Sequence, residues 1–252
     1  MNNHLFNSQH GLITGCSQGI GLAAAARMLK TGFKITGISR SQSKALLKLK
    51  SLYPTRFTFY QSNLSTHTLS ESSELNNLLN SCPFDFAILN AGIRSRVPLP
   101  EANVNIFTSV FDANTLMPIM LSKILSETAI SHHKSLNILF ISSIVGNLGF
   151  SDLTTYATSK SALDGFMKSF SAELAPFNIR ANCLSPGFVK TSYYQRFKAT
   201  NPELYKWTLE RTPLHRWASP MEIAKISEFL VSPLNSYMTG TVVFCDGGWS
   251  SV

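Results

Sequence analysis

Short apolar runs alternate with longer stretches of mixed apolar and polar residues along almost the whole chain. The runs are Leu12–Thr14, Lys34–Ser39, Phe57–Tyr60, Phe84–Leu89, Ile138–Ser142, Ile179–Leu184 and Thr241–Phe244. Their length and their content of branched and aromatic residues predict strands. Phe84-Asp85-Phe86-Ala87-Ile88-Leu89 is nearly continuous in apolar character, which suits a strand of a parallel sheet buried on both faces. The stretches between carry helical spacing: Ile20–Lys30, Ala-rich and free of Pro; Gln42–Leu52; about Leu69–Leu79; about Val104–Ala129; Tyr156–Leu174; and about Met221–Leu230. Repeated β-α-β units with right-handed crossovers predict an α/β fold built on one doubly wound parallel sheet. No linker or low-complexity stretch interrupts the rhythm, so residues 1–252 read as a single domain. Residues 188–218, with two prolines and many large side chains, stand outside it as an excursion.

Composition narrows the class. A chain of 252 residues with 44% hydrophobic and 14% charged residues has enough apolar surface for one large core. No apolar run approaches the roughly 20 residues that span a bilayer, and Met1–Gln9 is polar, without the apolar core of a signal peptide. A cytoplasmic location is the expectation. Cys16, Cys82, Cys183 and Cys245 are scattered and form no CxxC, so they read as reduced thiols, not as a disulfide set or a zinc site. The histidines show no ligand spacing, and no metal is expected.

The formal charge of +8 is confined to one part of the chain. Residues 1–70 hold eight Lys and Arg and no Asp or Glu, while the remainder holds fourteen of each sign. A solvated basic face or a nucleic-acid footprint is one reading, and a positive field around bound phosphates is the other. No aromatic stacking platform accompanies the basic residues, which ranks a nucleotide cofactor above nucleic acid.

The local motifs point the same way. The first strand runs into Thr14-Gly15-Cys16-Ser17-Gln18-Gly19-Ile20-Gly21 and then a helix. Glycines in such a turn let the backbone approach a pyrophosphate, and a helix N-terminus faces its negative charge. The second strand ends at Ser39-Arg40, some 18 residues past Gly21, where an acid would bind the ribose hydroxyl of NAD. The cation present there can grip a 2′-phosphate instead, which predicts NADP(H) over NAD(H). Lys44 and Lys48 follow Arg40 at spacings of four and would share its helix face if that helix starts early. Further along, Tyr156-Ala-Thr-Ser-Lys160 places an ammonium beside a phenol on one helix face. A fixed cation there would lower the phenol from its usual value near about 10 and ready it for proton transfer.

On these residues the chain resembles the short-chain dehydrogenase/reductase family, over essentially its whole length. The motifs stand in the family's order: the glycine-rich turn, Asn90-Ala91-Gly92, Asn114, Ser143, Tyr156-x-x-x-Lys160, and Pro186-Gly187 with Thr191. Ser143 precedes Tyr156 by thirteen residues, the family's usual interval. The resemblance implies a Rossmann-type sheet of seven parallel strands and, commonly, a homotetramer, with a dimer as the smaller alternative. It implies hydride transfer between a nicotinamide and a ketone or secondary alcohol, with Ser143 holding the carbonyl oxygen, Tyr156 as the proton donor, Lys160 tuning it and Asn114 holding a relay water. The cofactor would lie against Gly15, Ser17, Gln18, Gly19, Ile20, Gly21, Ser39, Arg40, Asn63, Leu64, Asn90, Ala91, Gly92, Tyr156, Lys160, Pro186, Gly187, Val189 and Thr191. Two positions depart from the pattern. Asn63 stands where the family often has Asp beside the adenine, and no basic residue lies between Thr14 and Gly19, where some NADPH-dependent relatives have one.

The substrate side is the least constrained. Arg94, Ser95, Val145, Leu153, Phe188, Tyr193, Tyr194 and Phe197 are the candidate lining residues, mixing aromatic surface with cations. This suits a medium-sized ketone with an acidic or thioester-linked tail. Arg211-Thr212-Pro213-Leu214-x-Arg216 and Asp246-Gly247-Gly248 make the chain similar to bacterial 3-oxoacyl-acyl-carrier-protein reductases and their sugar- and alcohol-oxidising cousins. Lys134, after a long helix, is a candidate for docking an acyl-carrier protein, although Phe177 replaces an arginine common in those reductases. The resemblance makes reduction of a 3-oxoacyl thioester the leading substrate expectation, and two alternatives stay open: a sugar or small secondary-alcohol dehydrogenase, and a non-catalytic NADP-binding regulator.

Overall fold

The computed structural model describes residues 6, 8–71, 73–81 and 83–252. Residues 1–5, most of the polar start, and Cys82 lie outside the described residues. Seven strands, β1 (His10–Thr14), β2 (Lys34–Ser39), β3 (Phe57–Gln61), β4 (Phe86–Leu89), β5 (Leu136–Ile141), β6 (Ile179–Pro186) and β7 (Val242–Cys245), form one sheet. All of its pairings are parallel, in the order β3-β2-β1-β4-β5-β6-β7. The order reverses between β1 and β4, where Leu12 lies between Thr36 and Ala87.

Alternate residues of each strand enter opposite layers, as the period of two requires. Leu12, Ala87, Leu89, Ile138, Phe140 and Ala181 pack with Met117, Leu121, Leu125, Leu163 and Met167. Ile13, Ile35, Ile88, Leu139 and Leu184 pack on the other face with Ala24, Met28, Leu46, Ile223 and Leu230. The second layer is built by α1 (Gly19–Lys30), α2 (Lys44–Leu52) and α10 (Pro220–Val231). The first contains α3 (Thr66–Glu71), α4 (Ser73–Ser81), α6 (Met117–Ser131) and α7 (Thr154–Leu174), with α5 (Val104–Phe111) packed on α7.

Local chemistry decides where these helices begin. Ser43 accepts a hydrogen bond from the Leu46 N–H at 3.1 Å and starts α2 at Lys44. Arg40 therefore stands before the helix, and the expected shared face with Lys44 and Lys48 does not form. A reciprocal pair opens α10: Glu222 N–H donates to Ser219 Oγ, and Ser219 N–H donates to the Glu222 carboxylate.

The helix expected over Val104–Ala129 is α5 and α6 joined by a π-turn, Asp112–Leu116, which carries Asn114. Val104–Ser131 is long and apolar enough to cross a membrane, contrary to the expectation from apolar runs alone. Its side chains Met117, Leu121, Leu125 and Ala129 instead belong to the core on one face of the sheet. The 188–218 excursion is a helical pair, α8 (Tyr193–Thr200) and α9 (Pro202–Arg211). Trp217 anchors it: its indole N–H donates to Thr208 at 2.8 Å, and its ring meets Phe188, Tyr194, Phe197 and Tyr205.

Candidate active site

Every strand from β1 to β6 runs toward the same edge of the sheet, so the loops that follow them converge there. In open α/β sheets this is the edge where ligands bind, at the switch in strand order. A cleft of about 580 Å³ lies along it. Its lining runs from Ser39, Arg40, Ser62, Asn63 and Leu64 at one end to Arg94, Arg96, Phe150, Tyr193 and Trp217 at the other.

The glycine-rich turn has the geometry a pyrophosphate needs. Gly15 and Gly19 have φ of 67° and 58°, in the left-handed region that favours glycine. A Cβ on Gly21 would lie 2.4 Å from the Gly15 carbonyl, so this glycine serves close packing and does not line the cleft. Gln18 precedes α1 without a side-chain cap, and no acid stands in the first turn. The first N–H groups of α1 are thus left for an anion. At the end of β2, Ser39 Oγ accepts from the Ser17 N–H at 3.1 Å, and Arg40 enters the cleft. Glycine turn, open helix terminus and cation together fit a nicotinamide dinucleotide with its phosphates at this end.

Asn90 joins two strands. Its amide donates to the Thr14 and Gly15 carbonyls, each at 3.1 Å, while Thr14 Oγ1 accepts from the Asn90 and Ala91 N–H groups, each at 3.0 Å. The sheet-stabilising role is therefore met in full, beside the cleft that Asn90, Ala91 and Gly92 also line.

At the other end the candidate catalytic side chains meet. Ser143 follows β5, and its Oγ accepts from the Val145 N–H at 3.3 Å, capping a short turn. Tyr156 and Lys160 lie one turn apart on α7, with the ammonium 5.9 Å from the centre of the phenol ring. Lys160 is 5% exposed and donates from Nζ to the Ile141 carbonyl at 2.8 Å. Asn114, fully buried, accepts from the Ile93 N–H at 2.8 Å and donates to the Ile93 carbonyl at 2.9 Å and to Ser159 Oγ at 3.1 Å.

The electrostatics correct one expectation. Burial pushes the Tyr156 phenol up, and the groups that pull it down are the Arg94 guanidinium and then Ser143, not Lys160. Lys160 is itself pushed down to about 8 by burial, with Cys183 and then Asp164 acting in the other direction. Burial also holds the Cys183 thiol well above its usual value, so it is neutral at pH 7. Asp164 lies four residues beyond Lys160 and accepts from Asn147 Nδ2 at 2.9 Å.

Of the substrate-side residues, Arg94, Val145, Leu153, Phe188 and Tyr193 line the cleft. Ser95, Tyr194 and Phe197 do not: Tyr194 turns to Tyr205, bonding hydroxyl to hydroxyl at 3.0 Å, and Phe197 packs on Tyr193 and Trp217. Among cofactor-side residues, Pro186, Gly187, Val189 and Thr191 line it as expected. Arg96, Phe150, Ser192 and Trp217 were missed. Arg96 could have been found from its alternation with Arg94, whereas nothing local marks Trp217.

A parallel sheet in this order, with a serine, a tyrosine and a lysine meeting at its carboxyl edge, invites comparison with known proteins. The family profile described as enoyl-(acyl carrier protein) reductase matches residues 15–250. The chain belongs to the short-chain dehydrogenase/reductase family. It is 33% identical to the 3-oxoacyl-[acyl-carrier-protein] reductase FabG of Aquifex aeolicus, covering 94% of this chain and 95% of that one. Among solved structures, 4-hydroxyisoleucine dehydrogenase complexed with NADH has a TM-score of 0.89 at 26% identity, covering 97% of this chain and 100% of that one. YwfH, an NADPH-dependent reductase involved in bacilysin biosynthesis, has a TM-score of 0.87 at 25% identity, covering 96% and 98%. The protein is therefore an oxidoreductase of the short-chain dehydrogenase/reductase family, acting on ketones and alcohols with a nicotinamide cofactor.

The Lys160 shift has a consequence for stability. Its folded value of about 8 lies below its usual 10.5. Between those values the unfolded chain binds a proton that the folded protein does not, so stability rises with pH through that window. In the cofactor-free protein, this contribution should reach about 3 kcal/mol from pH 8 to 10.5. Denaturant titrations of the parent and Lys160→Met should diverge by that amount over this range. Parallel pH profiles would refute the assignment.

Proposed function

We propose that the protein uses NADP(H) in preference to NAD(H) and transfers hydride to or from a free small-molecule ketone or secondary alcohol. The observation that carries this reading is the convergence of Ser143, Tyr156, Lys160 and Asn114 at one end of a cleft whose other end holds Arg40 and no acid. A bound nicotinamide dinucleotide would supply or accept the hydride. In the reductive direction, Ser143 donates a hydrogen bond to the carbonyl oxygen as negative charge develops there. Tyr156 delivers its hydroxyl proton to that oxygen, and in oxidation it receives one. Lys160 holds positive charge beside the phenol, and Asn114 ties the Ile93 loop to Ser159 on the same helix.

Carrier-bound substrates have less support. Lys134 lies between α6 and β5, at the edge of the sheet opposite the cleft, and approaches Asp85 at 3.9 Å. Phe177 provides no cation beyond α7. The features expected to dock an acyl-carrier protein are therefore remote from the cleft of the same chain. This favours a free substrate, such as a sugar or small alcohol, over a 3-oxoacyl thioester. A non-catalytic regulator would have no need of the complete serine, tyrosine, lysine and asparagine set.

We also propose a cytoplasmic homotetramer. Val104, Leu116 and Met120 remain exposed on the apolar α5–α6 helix, and the outer face of α7 includes Ser161 and Gly165, with open space beyond the glycine. Such flat and apolar faces suit contact with a second copy. Light scattering at micromolar concentration should report four chains, and a monomer would remove this proposal.

Two substitutions test the chemistry. Tyr156→Phe should lower kcat/KM about 10²–10⁴-fold, the range for loss of a general acid. Its NADPH affinity, read by fluorescence, should stay within about threefold. Substantial turnover by this variant would rule out the assigned proton donor. Arg40→Ala should raise KM for NADPH about tenfold or more, with little change for NADH. Equal use of both cofactors by the unmodified protein would sink the NADP preference.

A further inference from the structure

Arg94 has no carboxylate partner among the ion pairs of the described residues, and the cleft it lines contains no Asp or Glu. The other cations at its end of the cleft are engaged. Arg96 pairs with Asp152 at 3.4 Å, and Lys160 donates to the Ile141 carbonyl.

Arg94 is also held in place. Asn114 grips the preceding residue, Ile93, through both its N–H and its carbonyl. The guanidinium carbon lies 5.0 Å from the ring centre of Tyr193, the first residue of α8, which lines the same cleft. A ring face supports a planar cation while leaving its edge donors free for a planar anion. Arg94, Ser143 and Tyr156 line the same cleft. A group bound at Arg94 and a carbonyl at Ser143 and Tyr156 can thus belong to one small molecule.

We propose that Arg94 is a carboxylate-binding residue and that the substrate is an oxo acid, or the corresponding hydroxy acid, with its carboxylate on Arg94 and its reacting carbon at Ser143 and Tyr156. The fork of Arg94 matches a carboxylate with two parallel hydrogen bonds. This deepens the ketone reading and rests on it. It distinguishes free oxo acids from 3-oxoacyl thioesters, which carry no charge beside the ketone. Arg94 then acts twice: it binds the substrate, and it lowers the cost of ionising Tyr156.

The test uses matched pairs, because the effect of Arg94 on Tyr156 cancels in a ratio. Reduction of 4-oxopentanoate, 5-oxohexanoate and their methyl esters, with acetoacetyl-CoA as the thioester arm, is followed by NADPH absorbance. At least one acid should exceed its ester in kcat/KM by about tenfold or more, a charge-assisted contact's worth. The ratio should fall to about one in Arg94→Gln and be partly kept in Arg94→Lys, which retains the charge without the fork. Preference for the esters or the thioester, or an acid preference that survives Arg94→Gln, overturns the proposal.

A second readout needs no turnover. Glutarate is titrated into the protein loaded with NADP, and tryptophan fluorescence is followed, since Trp217 lines the cleft. Arg94→Gln should weaken glutarate binding about tenfold or more and leave the neutral glutaramide unchanged. If no ketone is reduced but glutarate binds in this Arg94-dependent way, the ketone reading fails and the carboxylate site stands. If neutral ketones are reduced while glutarate binding ignores Arg94, the hydride-transfer reading stands and the carboxylate site fails.

Discussion

The side chain of Asn114 holds together the parts of the protein on which its chemistry depends. Its amide is fully buried and engages both backbone groups of Ile93 and the hydroxyl of Ser159. Breaking one of these contacts would leave a buried polar atom unpaired, at about 1–3 kcal/mol. Asn114 therefore ties the α5–α6 helix to the loop after β4 and to α7, the helix of Tyr156 and Lys160. The π-turn at Asp112–Leu116 that carries Asn114 is an irregularity of a kind often found at functional sites. Gly92 belongs to the same junction: a Cβ there would lie 2.7 Å from Asn114 Oδ1 and 3.8 Å from Lys160 Nζ. The loop can approach both side chains only because it has glycine at that point.

Burial around this junction works against ionisation, and the charges beside it work for it. Removing Lys160 and Tyr156 from water disfavours the charged form of each, the ammonium in one and the phenolate in the other. Asp164 behind Lys160 and Arg94 in front of Tyr156 oppose that effect from two directions. The result is a phenol that holds its proton in the resting protein and can give it up to an oxygen that is gaining charge. The aromatic wall of Phe150, Phe188, Trp217 and Trp249 lies beyond, with Phe188 touching both tryptophans. Its apolar surface lowers the local dielectric and so strengthens the pull of those same charges.

The sheet was legible in the sequence because strands buried on both faces leave continuous apolar runs, and each of the seven runs became a strand within a few residues. The glycine-rich turn and the Tyr156–Lys160 pair were legible because their chemistry depends on short-range spacing. What stayed hidden depends on contacts between distant residues. The π-turn has no periodicity of its own. The start of α2 was set by Ser43, whose Oγ both accepts from the Leu46 N–H and donates to the Ser17 carbonyl at 2.6 Å, a contact between residues 26 apart in the chain. Lys160 is drawn to a carbonyl of β5, nineteen residues away, and helical spacing on α7 could not reveal this. Tyr193 and Tyr194 are neighbours in the chain, yet one faces the cleft and the other the Tyr205 hydroxyl, as successive positions on a helix diverge.

The basic first quarter shows how little of a net charge acts at a site. Arg27 pairs with Glu228 at 2.6 Å, Arg56 lies over the Tyr53 ring, and Lys44, Lys48 and Lys50 are exposed along α2. Only Arg40 of that group lines the cleft. At physiological salt, charges farther than about 8 Å act weakly, so the exposed lysines favour the arrival of an anion more than its retention. On the proposed reading, retention falls to Arg40 with the uncapped start of α1 at one end, and to Arg94 at the other. Ser143 and Tyr156 line the same cleft, which contains no Asp or Glu. The Asn114 grip on Ile93 then does more than hold a loop. It fixes the backbone next to Arg94, and on the proposed reading it thereby helps set the separation between an anionic group and a reacting carbonyl that the cleft accepts.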